Sequence, residues 1–171
     1  MHRLSAVVFI VAAAGLLTTG GSARHAAAED DLLHIVSRVT YDVRPDLGPL
    51  HVSWDVAIEN NDPKTQKRNG SLSFYQNLVL PALRGAANVA ARSADGQPLD
   101  VTLTDSPKGP VTSADVAFDK RLFYHDKYSF TLTYELPASR SDSLLVTPYY
   151  VFLPVLASGD EATVTVNSPA D

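Results

Sequence analysis

From Ile35 onward apolar and polar positions alternate along the chain. Ile35, Ser37, Val39, Tyr41 and Val43 form one set, and Val52, Trp54, Val56 and Ile58 a second, with His, Arg, Asp and Glu among the intervening residues. Successive side chains of an extended chain point to opposite faces, so this period of two predicts strands with one buried and one wet face. The pattern returns at Leu72 and Phe74, Val101 and Leu103, Val116 and Phe118, Tyr128 through Leu136, and Val164 and Val166. Between these stretches stand turn-forming groups: Asn60-Asn61-Asp62-Pro63, Arg68-Asn69-Gly70, Asp95-Gly96, Pro107-Lys108-Gly109-Pro110 and Ser158-Gly159-Asp160. Seven or more short strands at this spacing predict an all-β fold, an antiparallel β-sandwich of immunoglobulin-like or related Greek-key type. Pro81 to Ala91 is Ala-rich but short and broken by Gly85, and is read as a loop leading into a strand.

The first 28 residues follow a different rule. Met1-His2-Arg3 carries positive charge, an apolar stretch runs from Leu4 to Leu17, and small residues lead to Ala26-Ala27-Ala28. This order is that of a secretory signal peptide, with cleavage between Ala28 and Glu29. The chain then divides into a leader, 1–28, and a single domain, 29–171, bound for a secreted or extracytoplasmic location. The alternative is an uncleaved membrane anchor, because Leu4 to Ala23 is uncharged over about 20 residues. Thr18-Thr19-Gly20-Gly21-Ser22 makes the end of that stretch a poor span.

Charge and composition remove whole classes of function. The formal net charge of the 171 residues is −5, and loss of Arg3 and Arg24 with the leader makes the domain more acidic. Such a surface does not suit nucleic acid or an anionic membrane, both of which are found by basic patches. The sequence has no cysteine, which excludes disulfides, a thiol nucleophile, a thiolate metal site and a lipoprotein anchor. His2, His25, His34, His51 and His125 include no pair at the spacing of a helical zinc site, and neither a G-x-S-x-G elbow nor a glycine-rich phosphate loop occurs.

A few residues offer chemistry, each against a plainer alternative. Glu59, Asn60, Asn61 and Asp62 bring oxygen ligands into one loop, but without calcium-loop spacing they read as a solvated turn. His125-Asp126 has the residue types of an acid/base pair and also those of a hairpin turn. Trp54, Tyr149 and Tyr150 are the candidates for an aromatic platform. The phase of Trp54 with Val52 and Val56 assigns it to the core, whereas the adjacent tyrosines face opposite sides of a strand. Lys64, Lys67 and Arg68 form a basic loop tip, and Asn69-Gly70-Ser71 fits an N-glycosylation sequon.

Three segments carry a resemblance: Val39-Thr40-Tyr41-Asp42-Val43, His51 through Asn60, and Tyr128 through Pro137, with Ser141 to Tyr150 and Ala162 to Val166 similar as well. The succession resembles the N-terminal β-sandwich domain of secreted bacterial transglutaminase-like or zinc-peptidase-like proteins. The resemblance implies an accessory domain that precedes a catalytic one. The catalytic residues of such proteins lie in the downstream domain, so none is carried onto this chain. The expectation is an exported, non-catalytic module with no catalytic, cofactor-binding or metal residues and no cofactor. Its partner is expected to be an unidentified protein or a cell-envelope component, with a membrane involved only if the leader is retained. The alternative is a secreted hydrolase with an unrecognised site around His125 and Asp126.

Overall fold

A computed structural model describes residues 7–12, 32–43, 48–66, 73–105, 109–137, 145–147 and 150–168. The cleavage position at Ala28 and Glu29 lies outside them, as do Tyr149 and the Lys67-to-Ser71 tip. Twelve strands follow in chain order: β1 (Val7–Ala12), β2 (Leu33–Asp42), β3 (Leu50–Asn60), β4 (Tyr75–Leu83), β5 (Ala87–Ser93), β6 (Pro98–Leu99), β7 (Val101–Asp105), β8 (Val111–Leu122), β9 (Lys127–Leu136), β10 (Leu145–Thr147), β11 (Tyr150–Val155) and β12 (Glu161–Asn167). A single 3₁₀ turn, Pro63–Thr65, follows β3, and no described helix is long and apolar enough to cross a membrane.

The strands build an all-β sandwich. One layer is a six-stranded sheet in the order β12-β2-β3-β9-β5-β6, and facing it is a three-stranded sheet, β4-β8-β7. A further three-stranded group, β1-β11-β10, has its first strand within the predicted leader; Leu153 and Val155 of β11, and Leu156 just after it, join the common core. Pairing is antiparallel except for β12 with β2 and β1 with β11. The parallel β12 is reached by a long excursion through the second layer, as a parallel neighbour requires.

The alternation read from the sequence is the alternation of burial. Val39, Tyr41, Val52, Trp54, Val56, Ile58, Phe130, Leu132, Tyr134 and Leu136 all point inward, and the register aligns Val39, Trp54 and Leu132 across three strands. Trp54 is 0% exposed and sits in the middle of this layer. Three expectations change. Pro81 to Leu83 is not loop but the end of β4, and the chain turns at Arg84-Gly85 into β5. Proline fits there because β4 is an edge strand, where a missing N–H leaves no ladder bond unmade. Leu103 lies in the predicted strand, yet it is 40% exposed, because β7 is the outer strand of the smaller sheet. Leu72 lies outside the described residues, and Phe74 precedes β4, packed edge-on against Phe123 at 6.0 Å.

Candidate functional site

The two loops that the sequence singled out meet at one end of the sandwich. In the β8–β9 turn His125 takes a left-handed conformation, φ +67°, which His adopts more readily than most residues. Its N–H donates to the Asn60 carbonyl at 2.7 Å, and its ring stacks on Tyr124 at 3.8 Å. The Asp126 carboxylate accepts from the Phe123 N–H at 2.8 Å, and the Asp126 N–H donates back to the Phe123 carbonyl at 2.9 Å. His125 and Asp126 therefore close a hairpin turn, the plainer of their two readings.

The Glu59-to-Asp62 segment differs from its expectation as a solvated turn. Asn60 is 0% exposed and Asp62 6%. The Asn60 amide donates to Thr65 Oγ1 at 2.9 Å and to the Leu122 carbonyl at 3.2 Å, while its Oδ1 accepts from the Asp62 N–H at 2.9 Å. Asp62 accepts from the Lys64 N–H at 2.9 Å, capping the 3₁₀ turn, and from the Tyr75 hydroxyl at 3.2 Å. These oxygens are committed to protein donors, and Glu59 pairs with Lys127 at 3.1 Å. The sequence did hold a signal for this. Asn60 occupies the next inward position after Val52, Trp54, Val56 and Ile58, so the alternation itself carries a polar residue into the interior.

Among the aromatic candidates, Trp54 is consumed by the core, together with Tyr41 and Tyr134. Trp54 Nε1 and Tyr134 Oη are buried and neither makes a well-formed hydrogen bond among the described residues, although the hydroxyl lies close to the Trp54 side chain and the Leu83 backbone. The Tyr41 hydroxyl accepts from the Leu156 N–H at 2.9 Å, tying the segment after β11 to β2. Burial raises the pKa of both tyrosines above the ordinary phenol value. Lys64 is exposed on the 3₁₀ turn.

The surface that remains open is the outer face of the six-stranded sheet. Register sets Arg38, Asp55, Thr131 and Arg92 side by side across β2, β3, β9 and β5; the next row holds Thr40, Ser53 and Thr133, and the next Asp42, His51 and Glu135. Thr131 donates to Asp55 at 2.9 Å, and Asn88 donates to Glu135 at 2.7 Å, opposite the 3.4 Å contact of His51 with the same carboxylate. Where this face meets the open end of the sandwich, a groove of about 760 Å³ is lined by His34, Glu59, Asp119, Lys120, Lys127 and Tyr128 among others. Tyr128 donates to Asp119 at 3.0 Å; burial, then the carboxylate, pushes its pKa up to about 12. The groove mixes both signs of charge. No three His, Cys, Asp or Glu side chains among the described residues come together to hold a metal ion.

No family profile matches the chain, and no curated protein does. Among solved structures, the chain is similar to an M1 zinc metallopeptidase from Deinococcus radiodurans, at 15% identity over 78% of this chain and 31% of that one, with a TM-score of 0.44. It is also similar to a two-domain M1 zinc metallopeptidase bound to L-tryptophan, at 13% identity over 66% of this chain and 22% of that one, with a TM-score of 0.35. The chain thus spans less than a third of the length of these proteins.

Proposed function

We propose that the chain is an exported, non-catalytic β-sandwich module that presents the outer face of its six-stranded sheet to a protein or cell-envelope partner. The observation that carries this reading is where the chemically capable side chains are spent. His125 and Asp126 close a turn, Asn60 and Asp62 satisfy buried backbone donors, and Trp54 fills the core. What faces outward is instead a wide, hydroxyl-rich and charge-mixed surface. The leader at 1–28 supports export, and the sequence resemblance to sandwich domains that precede catalytic ones supports an accessory role.

The test has two arms. The chain, expressed with its leader in an exporting host, is expected to begin at Glu29 on N-terminal sequencing and to hydrolyse neither peptides nor esters. Turnover that disappears in a folded His125→Ala variant would establish the hydrolase instead. Sedimentation of the exported protein with isolated envelope material, weakened by Thr131→Lys on the outer face, is the expected sign of binding. Equal sedimentation of the two proteins would remove that face from the proposal.

A further inference from the structure

Sheet edges present unpaired N–H and C=O groups and are ordinarily guarded by shortness, proline, bulges or charge. Three of the four edges of the two main sheets have such features or are short. β6 has two residues and begins with Pro98; β4 contains Pro81 and a register shift between Tyr75 and Asn77; β7 has five residues and ends on Asp105. The fourth, β12, which pairs only with β2 among the described residues, is different. It runs for seven residues, Glu161–Asn167, without proline, lysine or arginine, and its one charge lies at its first position. It packs chiefly on β2, so Val164 and Val166 on its inward side are only half-buried and Ala162 is exposed.

We propose that β12 pairs antiparallel with β12 of a second copy of this chain, about a two-fold axis through Val164. The sequence of the strand is self-complementary under that operation. Val164 faces Val164, Ala162 faces Val166, Thr163 faces Thr165, and Glu161 faces Asn167, so the apolar inner row continues across the axis and no like charges meet. Threonine pairs on the outer face are favourable cross-strand neighbours. A parallel arrangement would instead set Glu161 against Glu161. The pairing joins two six-stranded sheets into one and covers the half-exposed valines. Resting on a single strand, it falls below the size of a standard interface and gives a weak, concentration-dependent dimer.

Sedimentation of the purified chain over a concentration series tests this, with two variants that differ only in charge pattern. Thr163 neighbours Arg38 on β2, so a glutamate there suits the fold. Thr163→Glu with Thr165→Glu sets carboxylates opposite each other twice across the axis, and dimerisation is expected to weaken roughly tenfold. Thr163→Glu with Thr165→Lys sets glutamate opposite lysine and is expected to restore it. A monomer up to about 1 mM, or identical behaviour of the two variants, would overturn the proposal. Should the glutamate pair fail to fold, Val164→Cys gives an independent readout in a chain with no other cysteine. Residues directly opposite in antiparallel strands lie about 4.5–5.5 Å apart at Cα, within disulfide reach. Oxidation is expected to yield a covalent dimer from Val164→Cys and not from Glu161→Cys; the absence of that difference would refute the axis.

Discussion

Replacing Asn60 by alanine removes three hydrogen bonds at once: those to Thr65 Oγ1 and the Leu122 carbonyl and that from the Asp62 N–H. Thr65 keeps a partner, because its hydroxyl donates to the Asp62 carbonyl at 2.7 Å. The Leu122 carbonyl and the Asp62 N–H lose their Asn60 partner in a site that excludes water. At about 1 kcal/mol per bond the three bonds come to roughly 3 kcal/mol, a lower bound because buried groups left unpaired add to it. That is a large part of the stability of an ordinary domain, about 5–15 kcal/mol. Urea unfolding followed by tryptophan fluorescence measures it, since Trp54 is the sole tryptophan and is fully buried. Asn60→Asp sharpens the test. It keeps the acceptor for Asp62 but turns a carboxylate oxygen toward the Leu122 carbonyl, so the folded state favours the protonated acid. The folded variant then binds more protons than the unfolded one, and its stability falls as pH rises through the carboxyl range. A cost below about 1 kcal/mol for Asn60→Ala, or an Asn60→Asp variant indifferent to pH, would refute the role given to this network.

Other perturbations follow from the same structure. Trp54→Ala is expected to cost roughly 3–5 kcal/mol in urea unfolding through the cavity it leaves, whereas Tyr134→Phe, which removes a buried hydroxyl that makes only poorly formed contacts to Trp54 and Leu83, is expected to change stability by less than about 1 kcal/mol. Ultraviolet titration is expected to show Tyr128 ionising near pH 12 and shifting downward in Asp119→Asn. The unfolded phenol titrates near 10, so the folded state binds more protons between these values and the stability from Tyr128 is lost as pH rises from 10 to 12. Gly159→Ala places a methyl 2.6 Å from the Ile35 carbonyl at a φ of +108°. It is expected to loosen the clasp in which the Asp160 N–H donates to that carbonyl at 2.8 Å and the Asp160 carboxylate accepts from the Ile35 N–H at 2.6 Å. Faster hydrogen exchange at Ile35 and a loss of at least about 1 kcal/mol check this.

Alternation along the chain marks β2, β3, β8, β9 and β12 and the buried side of each, because side-chain direction in an extended chain is a local steric property that alternates residue by residue. Phase alone assigns Trp54 to the interior, whereas residue type leaves His125-Asp126 open between a turn and an acid/base pair. Tertiary structure decided what alternation does not encode. Which strands become neighbours depends on long-range pairing, so the edge position that accommodates Pro81 and exposes Leu103 was not legible from their own segments. The same holds for β12, whose second flank, unpaired among the described residues, follows from its place beside β2 and not from its composition. Asn60 lies between the two kinds of information. Its inward phase was present in the chain, but an asparagine can be buried only where donors and acceptors from elsewhere meet it, and Thr65, Leu122 and Asp62 come together there only when β3, β8 and the 3₁₀ turn have folded against one another.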